Sequence, residues 1–317
     1  VKYLVTGATG FIGRELCRQL SLRGADFVAL SRSGRELADG GPSLALDLAD
    51  STVPASLLRG VDVVFHLAGV AHQQAADAAY QRVNCEATLA LAQASAAAGV
   101  RCFVFLSSVK AMGLAVDGRA RAEADCNPPV DAYGRSKWQA ECALHECFSA
   151  AAMGVVILRP TLVYGSVPKG NLALLAAAVR KGLPRPPELG GRSMVAAQDL
   201  ATLMCTLGEQ PPAGVHTWIV SDGQTYSARR ICDAMRGALD RGPGVGWCPL
   251  WVWRLAAAAM DIGRNSGSES SFDKLFGCER YSNEAILADF SWRPQLRLED
   301  IVGAMLPASQ PSRESDR

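Results

Sequence analysis

Tyr133 and Lys137 stand four residues apart in the stretch Tyr133-Gly134-Arg135-Ser136-Lys137. On a helix that spacing puts both side chains on one face. A free tyrosine, with a pKa near 10, is a poor base at neutral pH. An ammonium beside it favours the phenolate. Lowering the pKa by ~3 units takes roughly 4 kcal/mol of differential stabilisation. A phenol tuned in this way can exchange a proton with the oxygen of an alcohol or ketone. Upstream, Ser107-Ser108 close an apolar run, RCFVFLS. A hydroxyl at that point can hydrogen-bond the reacting oxygen and stabilise its developing charge. A Y-x-x-x-K pair is common by chance, so its meaning depends on what the rest of the chain builds around it.

The second chemical feature is the turn Thr6-Gly7-Ala8-Thr9-Gly10-Phe11-Ile12-Gly13, which follows the apolar segment KYLVT. Glycines allow a sharp strand-to-helix turn and a close backbone approach to a pyrophosphate, and the helix N-terminus offers N–H groups to the anion. The spacing is G-x-x-G-x-x-G rather than G-x-G-x-x-G. Gly7, Thr9, Gly10, Phe11, Ile12 and Gly13 are therefore the candidate contacts to a dinucleotide.

These residues need a scaffold, and the pattern of the chain supplies one. Apolar runs at 2–6, 26–30, 44–47, 61–67, 101–107 and 155–159 read as strands, and segments 78–98 and 132–152 as long helices. Runs that are apolar throughout, alternating with helices, predict an α/β fold: a Rossmann-type, doubly wound parallel sheet. From about residue 165 the rhythm breaks into Gly/Pro-rich pieces and short helices, the mark of a smaller C-terminal substrate lobe. The expected division is a dinucleotide-binding domain over 1–165 with a return segment near 192–222. The lobe would take 166–191 and 223–307, and 308–317 a flexible polar tail.

Bulk properties exclude several classes. With 32 Lys+Arg against 31 Asp+Glu, a net charge of +1 carries no nucleic-acid footprint. The four histidines show no zinc-ligand spacing, so no metal is expected. Ten scattered cysteines without C-x-x-C, several inside apolar runs, fit free thiols in a reducing, cytoplasmic setting. The chain opens on a strand, and no targeting segment is expected. The apolar stretch 247–260, interrupted by Arg254, falls short of the ~20 residues that span a bilayer. It reads as a buried or interfacial helix, without stable membrane insertion.

The string TGATGFIG resembles the extended short-chain dehydrogenase/reductase family, and the resemblance runs over roughly residues 1–305. His66-Leu67-Ala68-Gly69 is similar to the family's loop beside the nicotinamide ribose, which assigns Leu67, Ala68 and Gly69 to the cofactor. Asp47-Leu48 falls where the family holds adenine. Val83-Asn84 matches a helix motif that supports the sheet. Arg159-Pro160, with Val163-Tyr164-Gly165, matches the strand end beyond the catalytic helix and brings Pro160 to the cofactor. Asp199-Leu200-Ala201 and Trp292-Arg293-Pro294 match later markers. The resemblance makes Ser108, Tyr133 and Lys137 the catalytic residues, with Ser107 close by and expected, like Ser108, to touch the substrate.

An acid at the end of the second strand binds the ribose 2′-hydroxyl of NAD and repels a 2′-phosphate. Here that place holds Ser31-Arg32. A neutral residue followed by a guanidinium suits the 2′-phosphate, so NADP(H) is favoured, with NAD(H) the alternative should Arg32 be a solvated loop residue.

Sugar-nucleotide 4,6-dehydratases carry Asp-Glu where this chain has Val109-Lys110, which argues against dehydration. Asn171-Leu172 and Arg192 resemble the segment and the arginine that hold the diphosphate of a UDP-sugar. Leu162, Met112 and Ala71-His72 depart from strict UDP-galactose 4-epimerases. LSSVKAMG with DAYGRSKWQAE looks most like a narrower, UDP-glucose 4-epimerase-like group. That group includes reductases of UDP-4-keto-6-deoxy-N-acetylhexosamines in surface-polysaccharide synthesis. The favoured expectation is a UDP-sugar 4-ketoreductase that pairs as a homodimer. A UDP-hexose 4-epimerase is the nearest alternative, an oxidoreductase of a hydrophobic alcohol the next, and a non-catalytic NADP-binding sensor the alternative of another class.

Overall fold

The computed structural model describes residues 1–71, 76–114, 118–168, 170–262 and 270–306. His72, most of the polar loop at 263–271 and the tail at 308–317 lie outside the described residues.

Eleven strands occur among the described residues: β1 (Lys2–Thr6), β2 (Asp26–Ser31), β3 (Leu44–Ala45), β4 (Val63–His66), β5 (Cys102–Leu106), β6 (Gly154–Pro160), β7 (Leu162–Tyr164), β8 (Gly191–Ala196), β9 (Val215–Val220), β10 (Thr225–Tyr226) and β11 (Cys278–Glu279). Seven form one sheet in the order β3-β2-β1-β4-β5-β6-β9, with every pairing parallel. The helices are α1 (Phe11–Leu22), α2 (Ala55–Leu58), α3 (Asp77–Tyr80), α4 (Ala87–Ala97), α5 (Ala132–Phe148), α6 (Gly170–Arg180), α7 (Ala197–Glu209), α8 (Ala228–Gly237), α9 (Leu250–Asp261), α10 (Ser271–Phe276), α11 (Glu284–Asp289) and α12 (Leu298–Met305).

Alternation along each strand explains the layers. Tyr3, Val5, Val63, Phe65, Val104, Val156 and Leu158 face a core shared with Leu16 and Leu20 of α1 and Leu200, Leu203 and Leu207 of α7. Their neighbours Leu4, Val64, Phe103, Phe105, Val155 and Ile157 face the other way, onto Leu91 of α4 and Ala140 and Leu144 of α5. Both faces are covered, which is why the strands read as apolar runs rather than as alternating ones.

The expected 78–98 helix is not continuous: a π-helical turn, Gln81–Glu86, separates α3 from α4. Asn84 lies in that turn, and its amide bonds both backbone groups of Val70 and the Ser136 hydroxyl. The irregularity thus carries a tertiary anchor, a common use of such turns. The second long helix stops at Phe148 instead of 152. The chain must turn there to start β6, whose first residue sits so tightly that a Cβ on Gly154 would lie 2.2 Å from the Pro212 carbonyl oxygen.

Beyond β6 the chain builds a second, small sheet of β7, β8, β10 and β11. Its core joins Tyr164, Leu172, Met194, Tyr226, Met235, Leu298 and Val302. β9 returns to the large sheet beside β6. Within the apolar stretch 247–260, only Trp253 of α9 is buried, so that helix is largely a surface element.

Candidate active site

The order of the large sheet places a crevice outside the carboxyl ends of β1 and β4, where the chain direction across the sheet reverses. Thr6 and His66 are register partners there, so the glycine turn after β1 lies against the Leu67–Gly69 loop after β4. The fit is tight. A Cβ on Gly7 (φ +69°) would stand 2.7 Å from the Ala68 nitrogen, and one on Gly13 would stand 2.2 Å from the Gly7 carbonyl oxygen. Gly10 opens α1 without a side chain to cap it, and Arg14 Nε holds the Thr9 carbonyl at 2.9 Å. Phe11 packs under Gly165, where a Cβ would meet its ring at 2.9 Å, and Ile12 packs against the core of α1 and α7. This cradle, which any larger residue would fill, fits a dinucleotide phosphate.

His66 serves the same loop as a structural residue. It is fully buried between Thr6 Oγ1 (2.7 Å from Nδ1) and Thr88 Oγ1 (2.9 Å from Nε2). Burial, with Lys137 adding to it, pushes its pKa down to about 3, so it stays neutral. Thr6 also accepts a hydrogen bond from the Ala68 amide, fixing the loop to β1.

α5 begins where Asp131 accepts a hydrogen bond from the Gly134 amide at 2.8 Å. Gly134 permits the close approach of the turn Val109–Met112, since a Cβ would lie 2.6 Å from the Lys110 carbonyl oxygen. That docking brings Tyr133 near Ser108, which works to lower the phenol pKa. Burial nevertheless dominates and pushes the Tyr133 pKa up to about 12. One turn along the helix, Lys137 is buried with its ammonium against the Leu106 carbonyl (2.9 Å) and the Phe105 ring (4.5 Å). The ammonium also flanks Gly69, where a Cβ would sit 3.3 Å from Nζ. Burial pulls the Lys137 pKa down to about 8, with Glu141 opposing the fall. Ser108, Tyr133 and Lys137 therefore converge next to the dinucleotide cradle.

Ser107, expected to touch the substrate, instead turns the other way and is buried. Its hydroxyl donates to the buried Glu141 carboxylate, which also pairs with Arg159 Nη2 at 2.7 Å. Arg159 Nη1 donates to the Glu123 carbonyl at 2.9 Å. This buried charge pair joins α5 to the end of β6, just before the buried Pro160. Glu141 was missed from the sequence, although it continues the Tyr133–Lys137 face by one further helical turn.

At the far end of β2, the Ser31 hydroxyl is buried against Ser43 Oγ at 2.8 Å, and Arg32 is exposed. Asp47 accepts from the Ala49 amide at 3.0 Å, and Leu48 packs at the edge of the core. On the lobe, Asn171 is exposed in the first turn of α6, whereas the Leu172 side chain is buried in the lobe core. Arg192, in β8, bonds the Asp273 carbonyl (2.8 Å) and Glu279 (3.5 Å), and its buried Nε has no hydrogen-bond partner. Lys110 pairs with the same Glu279 at 2.9 Å. Burial works to raise the Glu279 pKa, but Lys110 and Arg192 outweigh it and hold the carboxyl below its ordinary value. A chain of charges therefore ties the turn after Ser108 to the lobe. Lys110 occupies one of the two positions at which a dehydratase would need an acid.

Comparison with known proteins agrees with this arrangement. Residues 3–221 match the NAD dependent epimerase/dehydratase family. A UDP-glucose 4-epimerase of Vibrio cholerae is 30% identical over 309 residues, which is 94% of this chain and 92% of that protein. Among solved structures, MoeE5 in complex with UDP-glucose and NAD superposes with a TM-score of 0.76 at 23% identity, covering 96% of this chain and 97% of its own. The UDP-glucose 4-epimerase of Thermus thermophilus in complex with NAD gives 0.72 at 22% identity, covering 96% and 98%.

Proposed function

The chain belongs to the NAD dependent epimerase/dehydratase family, and on that footing we propose that it is an NADP(H)-dependent oxidoreductase acting at C4 of a UDP-sugar. Its reaction is the 4-keto reduction of a UDP-4-keto-6-deoxy-N-acetylhexosamine for surface-polysaccharide synthesis. When bound, the nicotinamide supplies the hydride. Gly7, Thr9, Gly10, Phe11, Ile12 and Gly13 hold the pyrophosphate. Leu67, Ala68, Gly69 and Pro160 line the nicotinamide end, and Asp47 and Leu48 line the adenine end.

Ser108 holds the ketone oxygen and stabilises its developing charge. Tyr133 gives that oxygen its proton. Lys137 keeps a positive charge beside the phenol and orients the ribose. Asn171 and Arg192 hold the diphosphate, with Leu172 supporting the first turn of α6 from the core side. A phenol whose pKa burial pushes up to about 12 is protonated at neutral pH and can donate to a ketone oxygen. A homodimer through α4 and α5 belongs to the same proposal, since α5 leaves Trp138 exposed beside Lys137.

The observation that carries the cofactor choice is the end of β2, where a buried serine and an exposed arginine stand in place of an acid. Charge-assisted hydrogen bonds are worth about 1.5–3 kcal/mol, or roughly ten- to a hundredfold in affinity. The wild type should therefore bind NADPH about that much more tightly than NADH. Ser31→Asp should erase or invert the preference. Equal affinities in the wild type, measured by nicotinamide fluorescence, would overturn the NADP(H) reading.

The 4-epimerase reading is favoured by the name of the Vibrio cholerae relative. It predicts NAD that co-purifies with the protein, and interconversion of UDP-glucose with UDP-galactose without net cofactor use.

A further inference from the structure

We propose that α9 and the tryptophan before it dock this chain on the surface of an anionic phospholipid bilayer. Trp251, Leu255 and Ile262 recur at helical spacing and are 62%, 61% and 82% exposed; Met260 is 60% and Trp247 82% exposed. Ala258 and Ala259 are exposed too and continue the stripe between Leu255 and Ile262. Only Trp253 turns inward, against Phe276 of α10 at 5.7 Å between ring centroids. Single exposed apolar residues are ordinary on soluble proteins, but a contiguous stripe ending in tryptophans marks a binding surface.

The length and the charges say what covers it. Twelve residues of helix make about 18 Å, too short for the ~30 Å hydrocarbon core, so the helix lies along the membrane surface rather than through it. Tryptophan suits the headgroup boundary, where one edge of the ring is wet. Cations flank the stripe. Arg254 lies over the Phe272 ring at 5.6 Å and is exposed. Arg241 binds the Val179 and Arg180 carbonyls at 3.1 and 2.8 Å, at the end of α6 that carries exposed Arg180 and Lys181, and the following Leu183 packs against the Trp253 cluster of α9. That edge is stitched to the approach to α9 by the Arg185 amide on the Val245 carbonyl. Of the nearby acids among the described residues, Asp233 is held by Arg185, Asp261 by Ser271, Asp273 by Ser270 and Glu188 by Arg229, and Asp240 is exposed.

A cationic rim around an apolar stripe complements anionic lipid headgroups. A second copy of the chain fits less well, because a two-fold contact through the stripe would set the arginine-rich rims of the two copies near one another. α10 packs on α9 and gives the Asp273 carbonyl to Arg192, so the docked face adjoins the lobe side of the active site.

Co-sedimentation of the full chain with phosphatidylcholine vesicles, with and without about a quarter of phosphatidylglycerol, tests this. The wild type should bind the anionic vesicles and lose binding as salt rises. Trp251→Ser/Leu255→Ser, both exposed positions outside the core, should bind about tenfold or more weakly with an unchanged melting temperature. Lys181→Glu/Arg241→Glu should also weaken binding. Three results would overturn the proposal: no vesicle binding by the wild type, undiminished binding by the double serine variant, or a dimer that the serine variant dissociates while lipid is ignored.

Discussion

Lys137 keeps its charge in a place that disfavours charge. Burial pulls its pKa down to about 8, while Tyr133 is pushed up to about 12. Below pH 8 the pair is ammonium and neutral phenol, the state that donates a proton to a ketone. As pH rises through about 8 the lysine loses its proton and the phenol keeps its own. The rate of ketone reduction, measured as kcat/KM against pH, should therefore hold level from 6 to 7.5 and fall above about 8. A limb that rises across that window would contradict this assignment. Glu141 is the residue that limits the fall in Lys137. Glu141→Gln should move the falling limb to lower pH, and it should cost about 3–5 kcal/mol of stability by leaving Arg159 buried and unpaired. Adding Arg159→Met should restore the melting temperature but not the pH limb. Tyr133 and Lys137 were legible in the sequence because their chemistry is local: four residues on one helix. The resemblance singled out Ser108, but the engagement of Ser107 was not legible, because only the position of Glu141 across from β5 shows that this hydroxyl is bound elsewhere.

At the scale of elements, the glycine turn is the piece with least tolerance. A methyl group on Gly13 would sit 2.2 Å from the Gly7 carbonyl oxygen, which is backbone and cannot swing aside. Gly13→Ala must open the turn, at a cost on the order of 1–3 kcal/mol. NADPH affinity, read by fluorescence titration, should drop by about tenfold to a hundredfold; an unchanged affinity would remove the turn from the cofactor site. The strand–turn–helix signal was readable because glycine spacing and an apolar strand are sequence-local. The π-helical turn at Gln81–Glu86 was hidden, since its cause is the bonding of Asn84 to Val70 and to Ser136, 52 residues away. α9 was legible as an apolar helix but not by its surroundings. An apolar run has much the same pattern whether it meets a core or the outside, and here only Trp253 finds a core.

The described residues form two sheets, tied together by the ion pairs of Glu279 with Lys110 and Arg192. Parallel order in the large sheet followed from its apolar runs and the helices between them. The small sheet did not: β7, β10 and β11 are two or three residues long, and their partner β8 pairs across distances in sequence that no periodicity reports. The charge chain Lys110–Glu279–Arg192 links segments up to 169 residues apart and was equally invisible. It ties the lobe to the turn carrying Ser108, so under the proposed function substrate held by the lobe would meet the phenol and hydroxyl in a set position for reduction at C4. That claim is tested most directly with NADPH deuterated at the transferring position and a UDP-4-keto-6-deoxyhexosamine. The wild type should place one deuterium at sugar C4, seen by mass spectrometry and NMR, while Tyr133→Phe still binds NADPH but transfers at a rate lower by about a hundredfold or more. Label appearing at another carbon, or full transfer by Tyr133→Phe, would contradict the account.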